Sequence, residues 1–167
     1  MERNTWLIFL ILTALIVAFS SWNVFPQSGE DPASNNVLED ISSKLQEKPV
    51  LITFGSESCG ACQQQEIVLE NVENKYAESI YFVHIDVDEH PRLAGAFGVY
   101  SIPDTSIIVM EEEGQYLYMG YGGYVTADRG ATRELGPSDV DALSLLLNMS
   151  IDYKNIIAAG QENSRGS

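Results

Sequence analysis

Cys59-Gly60-Ala61-Cys62 lies between an apolar run, Val50–Gly55 (VLITFG), and a segment of helical spacing that reaches Tyr76. That placement limits what the chain can fold into, because a strand has to hand the first cysteine to the start of a helix. Two cysteines so spaced on a first helical turn can close into a disulfide with little backbone movement. Free N–H groups and the dipole at the helix start stabilise a thiolate on Cys59. Cys59 is then the exposed nucleophile, and Cys62, one turn inside, the buried resolving thiol. Attack on a substrate disulfide gives a mixed disulfide, which Cys62 releases.

Other uses of such a pair are less well served. Haem attachment needs His after the second cysteine, where this chain has Gln63. Zinc would need two further ligands, and His84 and His90 are the only histidines. A static structural disulfide stays open, although so short a loop gives little chain-entropy stabilisation. No metal and no cofactor is expected.

The remaining pattern alternates. Val37, Leu38, Ile41 and Leu45 recur at helical spacing, ahead of Pro49 and the strand Val50–Gly55. A helix from about Cys59 to Tyr76 precedes a strand, Ile80–Asp86, that reads as buried. Pro91 opens a short helix with Leu93 and Phe97 on its apolar side and Gly98 as its cap. Thr105–Met110 and Gln115–Tyr121 flank Glu113-Gly114, a hairpin signal. Gly136-Pro137-Ser138, with Asp141 following, opens a last helix that turns Val140, Leu143, Leu146 and Leu147 inward. The order α-β-α-β-α-β-β-α predicts an α/β fold, a mixed central sheet with helices on both faces.

These residues resemble the thioredoxin family over about residues 37–150. The likeness rests on CGAC after VLITFGSES, on the run HIDVDEHP, and on FGVYSIPD. It implies a cis peptide bond at Ile102-Pro103, facing the cysteines, with the Ile102 backbone free to pair with an extended substrate segment. It also implies thiol–disulfide oxidoreductase activity on disulfide-containing protein substrates. Several positions depart from the family pattern. Ser58 stands where thioredoxins usually carry Trp, and Gly60-Ala61 where they carry Gly-Pro. Thr53 replaces a buried Asp, His84 the Lys beside it, and Asp104 the Thr after the proline. His84 is the candidate proton acceptor for Cys62 in place of that Asp; a strand histidine that merely packs is the plainer alternative. Gly122–Gly136 is longer than the family pattern requires and reads as a flexible aromatic loop. Its Arg129 and Arg133 form either a partner contact or part of a simple excursion.

Charge and the N-terminus set the surroundings. Nine Lys and Arg against 24 Asp and Glu leave a net charge of −15 over 167 residues, which repels phosphate backbones and excludes nucleic-acid binding. Trp6–Phe19 carries no charge, and residues 6–25 would span about 30 Å as a helix, the thickness of a bilayer's hydrocarbon. Residues 1–25 are read as a transmembrane anchor in contact with lipid. Ala18-x-Ser20 allows a cleaved signal peptide instead, and a secreted protein. Arg3 precedes the span and no Lys or Arg follows before Lys44, so the N-terminus stays cytoplasmic and the domain is exported. Residues 26–36 form a flexible linker, 37–159 the thioredoxin-like domain, and 160–167 a frayed tail.

The expected function is a membrane-tethered oxidoreductase that reduces disulfides of exported proteins, recharged by an unidentified membrane electron donor. A disulfide-donating oxidase or isomerase, and a non-catalytic adaptor on the same scaffold, are the alternatives.

Overall fold

Apolar side chains at Val50, Leu51, Ile52 and Phe54 alternate between the two faces of β1 (Val50–Gly55), so this strand has to be covered on both sides. A computed structural model, which describes residues 32–165, shows how the cover is built. β1 pairs in parallel with β2 (Tyr81–Asp86) and antiparallel with β3 (Asp104–Glu112). β3 forms a hairpin with β4 (Gln115–Met119), and the short β5 (Val125–Thr126) follows, giving the order β2-β1-β3-β4-β5. A last short strand, β6 (Glu134–Leu135), pairs with the beginning of β3. Glu113 (φ 51°) and Gly114 (φ 78°) turn the hairpin with both central residues left-handed, the geometry that matches strand twist.

Each face has its own core. Leu51, Ile107, Val109 and Met119 pack with Leu69, Val72 and Tyr76 of α2 (Gly60–Tyr76) and with Leu143, Leu146 and Leu147 of α4 (Val140–Arg165). Val50, Ile52, Phe54 and Ile108 face Ile41 and Leu45 of α1 (Pro32–Leu45) and Leu93 and Ala94 of α3 (Pro91–Ala96). The expected mixed sheet with helices on both faces is therefore present.

Several boundaries differ from expectation. α1 begins at Pro32, so residues 32–36 of the expected linker are helical. Proline suits a first helical turn because its missing N–H would be unpaired there anyway. α4 continues from Val140 through Gly160 to Arg165, where a frayed tail was expected. One glycine costs a helix about 1 kcal/mol, and no proline follows to break the ladder. The α4 cap is Asp139, whose Oδ1 accepts from the amides of Asp141 and Ala142 at 2.9 and 3.1 Å, in place of the expected Ser138. Val140 is correspondingly turned outward. β2 is an edge strand, mostly half-buried, because only β1 flanks it. The apolar stretch 6–25 and the linker up to residue 31 lie outside the described residues. Among the described residues no helix is long and apolar enough to cross a membrane.

The second core holds a titratable group. Tyr118 is buried, and its phenol is pushed up to about 12, chiefly because burial strips water from the phenolate; Arg129 pulls the other way. An acid whose folded pKa is raised contributes stability that is complete below its unfolded value and fades as pH rises toward the folded one. Stability is therefore expected to fall between about pH 10 and 12 by about 2 kcal/mol on account of this group. Thermal melts over that range check it: Tyr118→Phe should flatten the dependence.

Candidate active site

Gly60 opens α2 and Cys59 caps it. The Cys59 carbonyl accepts from the amides of Cys62 and Gln63 at 3.0 and 3.1 Å, while the Cys62 N–H also reaches Cys59 Sγ at 3.1 Å. Sulfur thus occupies the position that a Ser or Asp oxygen fills at many helix starts. The same N–H and the helix dipole favour negative charge on it. The two cysteines are joined as a disulfide with Cα atoms 5.2 Å apart. Cys59 is half-buried and Cys62 is buried, so Cys59 is the more accessible of the two sulfurs.

The Ile102-Pro103 peptide bond is cis. The Ile102 carbonyl oxygen lies 4.0 Å from Cys59 Sγ, and Pro103 shares with Cys62 the wall of a cavity of about 120 Å³. Cys59, Cys62, Ile102 and Pro103 are therefore brought together. Thr53 and His84 line the same cavity, facing one another across the β1–β2 pairing. His84 is exposed rather than packed, and it is not the only titratable neighbour, because Glu57, Glu66 and Asp86 also line the cavity. Glu66 lies four residues after Cys62 on α2, Glu57 two residues before Cys59, and Asp86 two residues after His84 on β2, so the elements that bring His84 and Cys62 together bring three carboxylates with them.

Two networks were not anticipated. Behind Cys62 the hydroxyls of Thr53 and Thr105 lie 3.2 Å apart, and Gln65 Nε2 donates to Thr105 Oγ1 at 3.5 Å and to Ser138 Oγ at 3.4 Å. The Ser138 amide returns a bond to Gln65 Oε1 at 2.6 Å. A neutral polar chain thus fills the base of the site and ties α2 to the start of α4. The second network surrounds Asp104, which is fully buried. Arg129 meets it with both terminal guanidinium nitrogens, Nη2 at 2.6 Å and Nη1 at 3.1 Å, and Arg133 approaches at 3.3 Å. The segment expected to be a flexible loop is instead structured, carrying β5, a 3₁₀ turn at Arg129–Ala131, and β6. Gly120 leaves room for the ring of Tyr124, which a Cβ there would strike. Tyr124 in turn donates to the Ala131 carbonyl at 2.9 Å.

Ahead of Cys59, Ser56 Oγ donates to Asp88 Oδ2 at 2.6 Å and fixes the approach to the helix. Among the described residues no cluster of His, Cys, Asp and Glu is placed to hold a metal ion.

The family model described as thioredoxin matches residues 33–127, from α1 through β5 and the whole of the cysteine and Ile102-Pro103 constellation. The chain belongs to the thioredoxin family. It is 39% identical over 72 residues to thioredoxin of Listeria monocytogenes, a stretch covering 43% of this chain and 69% of that protein. Thioredoxin of Bacillus subtilis is 34% identical over 70 residues, covering 42% and 67%. Among solved structures, a point-mutant thioredoxin from Halobacterium salinarum shares 27% identity with a TM-score of 0.50, over 68% of this chain and 82% of that one. Thioredoxin of Fasciola hepatica, at 16% identity, has a TM-score of 0.51 over 69% and 93%, and shows the likeness of fold. As a thioredoxin-family protein with a redox-active cysteine pair, the chain is a thiol–disulfide oxidoreductase. The matched residues end before Arg129 and Arg133.

Proposed function

We propose that the chain is a membrane-tethered reductase of disulfides in exported proteins. The observation that carries the redox chemistry is Cys59 Sγ at the start of α2, bonded to Cys62 and 4.0 Å from the Ile102 carbonyl. An extended substrate segment laid along Ile102 pairs with its backbone as an added strand and presents its sulfur to Cys59. The Cys59 thiolate attacks, a Cys59–substrate disulfide forms, and the first substrate sulfur leaves as thiolate. Cys62 gives up its proton, attacks Cys59 Sγ and expels the second. The substrate disulfide has gained two electrons, and the pair ends oxidised.

Charge supports the reducing direction. Glu57 is exposed and lies just before Cys59 in an acidic domain. A negative neighbour opposes the thiolate, leaves the dithiol less favoured, and makes the disulfide a weak oxidant. Tethering and export are supported by residues 6–25 and by Arg3 ahead of them. Such a reductase needs a membrane electron donor to return it to the dithiol.

The decisive experiment equilibrates the full chain against glutathione and dithiothreitol redox series. A potential near the reducing end is expected. One near the oxidising end would make the protein a disulfide donor, an oxidase or isomerase. Resistance of the chain to alkaline carbonate extraction from membranes tests the anchor, since a cleaved, secreted form would be found in the soluble fraction.

His84 receives the Cys62 proton in this scheme, through the cavity both residues line. His84→Ala is expected to slow release of the mixed disulfide by about tenfold at neutral pH, less than a directly bonded base would give. Rapid-mixing measurements of release against pH check this. An unchanged profile in His84→Ala beside a shifted one in Glu66→Gln would pass the role to the carboxylate.

A further inference from the structure

We propose that Asp104, Arg129 and Arg133 are positioning residues for the reaction at Cys59, clamping the Ile102-Pro103 segment at a fixed distance from the nucleophile. This rests on the reading that substrate pairs along Ile102. Residues 97–103 connect α3 to β3 without regular secondary structure, yet they supply the wall that faces Cys59. Phe97, Val99 and Ile102 pack against the second core, and the arginine-bearing segment adds directed polar ties to that packing. Arg129 Nη1 donates to the Phe97 carbonyl at 3.0 Å, and Arg133 Nη1 to the Gly98 carbonyl at 2.9 Å. The Arg133 guanidinium also lies 4.3 Å from the centre of the Tyr100 ring. At the far end Asp104 follows Pro103 directly and receives both arginines, while the Gly136 amide donates to the Pro103 carbonyl at 2.8 Å. One charged cluster thus grips the connection at its beginning, its middle and its end.

Magnitudes favour geometry over stability as the purpose. A buried ion pair roughly breaks even against apolar residues of the same shape, because desolvation offsets attraction. What the guanidinium forks add is direction: several donors in fixed planes define where each carbonyl and the carboxylate must sit. A wall that shifts by an ångström would still fold but would meet the substrate strand poorly.

Arg133 is the variant of choice, since its removal leaves the Arg129–Asp104 pair intact and the fold in place. With Arg133→Met, KM for insulin disulfides is expected to rise about tenfold at unchanged kcat, the equivalent of one lost positioning contact. Arg133→Lys should recover part of the loss. A variant that is merely less stable shows the opposite split, with less active enzyme, a lower apparent kcat and the same KM. That split, or wild-type values for both constants, would overturn the clamp while the oxidoreductase assignment stands. A wild-type chain that leaves insulin intact would instead sink the substrate reading and the clamp with it. Far-ultraviolet circular dichroism of each variant confirms that folded protein is being compared.

Discussion

In a Cys62→Ser variant, reduction of a protein disulfide is expected to stop halfway, with substrate held covalently on Cys59. Cys59 is the sulfur that an incoming disulfide can reach, and Cys62 is buried beneath it. Serine keeps the shape at the first turn of α2 but cannot displace a sulfur. Release then depends on added thiol, whereas a held neighbour acts at an effective concentration far above any reagent's, so turnover should fall roughly a thousandfold or more. Non-reducing electrophoresis and intact mass of the adduct read the outcome. Cys59→Ser, by contrast, should form no adduct. Steady turnover by Cys62→Ser would mean that another thiol resolves the intermediate, and the assigned roles would be wrong.

Arg129→Leu should cost about 3–5 kcal/mol, the range for removing one partner of a buried ion pair. Among the described residues Asp104 would keep only the more distant Arg133 as a cationic partner, and the Phe97 carbonyl would lose the Arg129 donor. For a domain of this size the melting temperature should drop by roughly 10–20 °C. Chemical denaturation gives the free energy directly. A loss below about 1 kcal/mol, typical of solvated surface pairs, would show that water reaches the carboxylate.

Much of the scaffold was legible in the sequence because it rests on periodicity. Leu69, Val72 and Tyr76 line one side of α2, the strand Val50–Gly55 is apolar on both faces, and Glu113-Gly114 turns a hairpin. The cysteine pair was legible for a similar reason, since its partners are local. What stayed hidden is non-local and polar. Asp104 stood out as an unusual residue after Pro103, and Arg129 and Arg133 as rare cations, but no spacing rule joins a strand start to a loop so far along the chain. A carboxylate opening the strand that leads into the apolar run Ile107–Met110 was the available signal, because a buried charge has to find a partner. Gln65 was missed because glutamine on a helix normally reads as a solvent-facing residue, yet here it is buried and bonded to Ser138. The ends of α1 and α4 failed for a different reason: Pro32 and Gly160 look like breaks, but each is tolerated where it falls.

The charged cluster also restricts how such a sequence can change over generations. Losing either the carboxylate or the Arg129 guanidinium strands an opposite charge in the interior, a step most marginally stable domains cannot survive. Replacing all of them together with apolar residues of similar volume would be close to neutral. Between those two forms lies a valley that single substitutions cannot easily cross. Asp104 and Arg129 are thus entrenched as one heritable unit, gained or lost together, while the exposed residues around them remain free to drift.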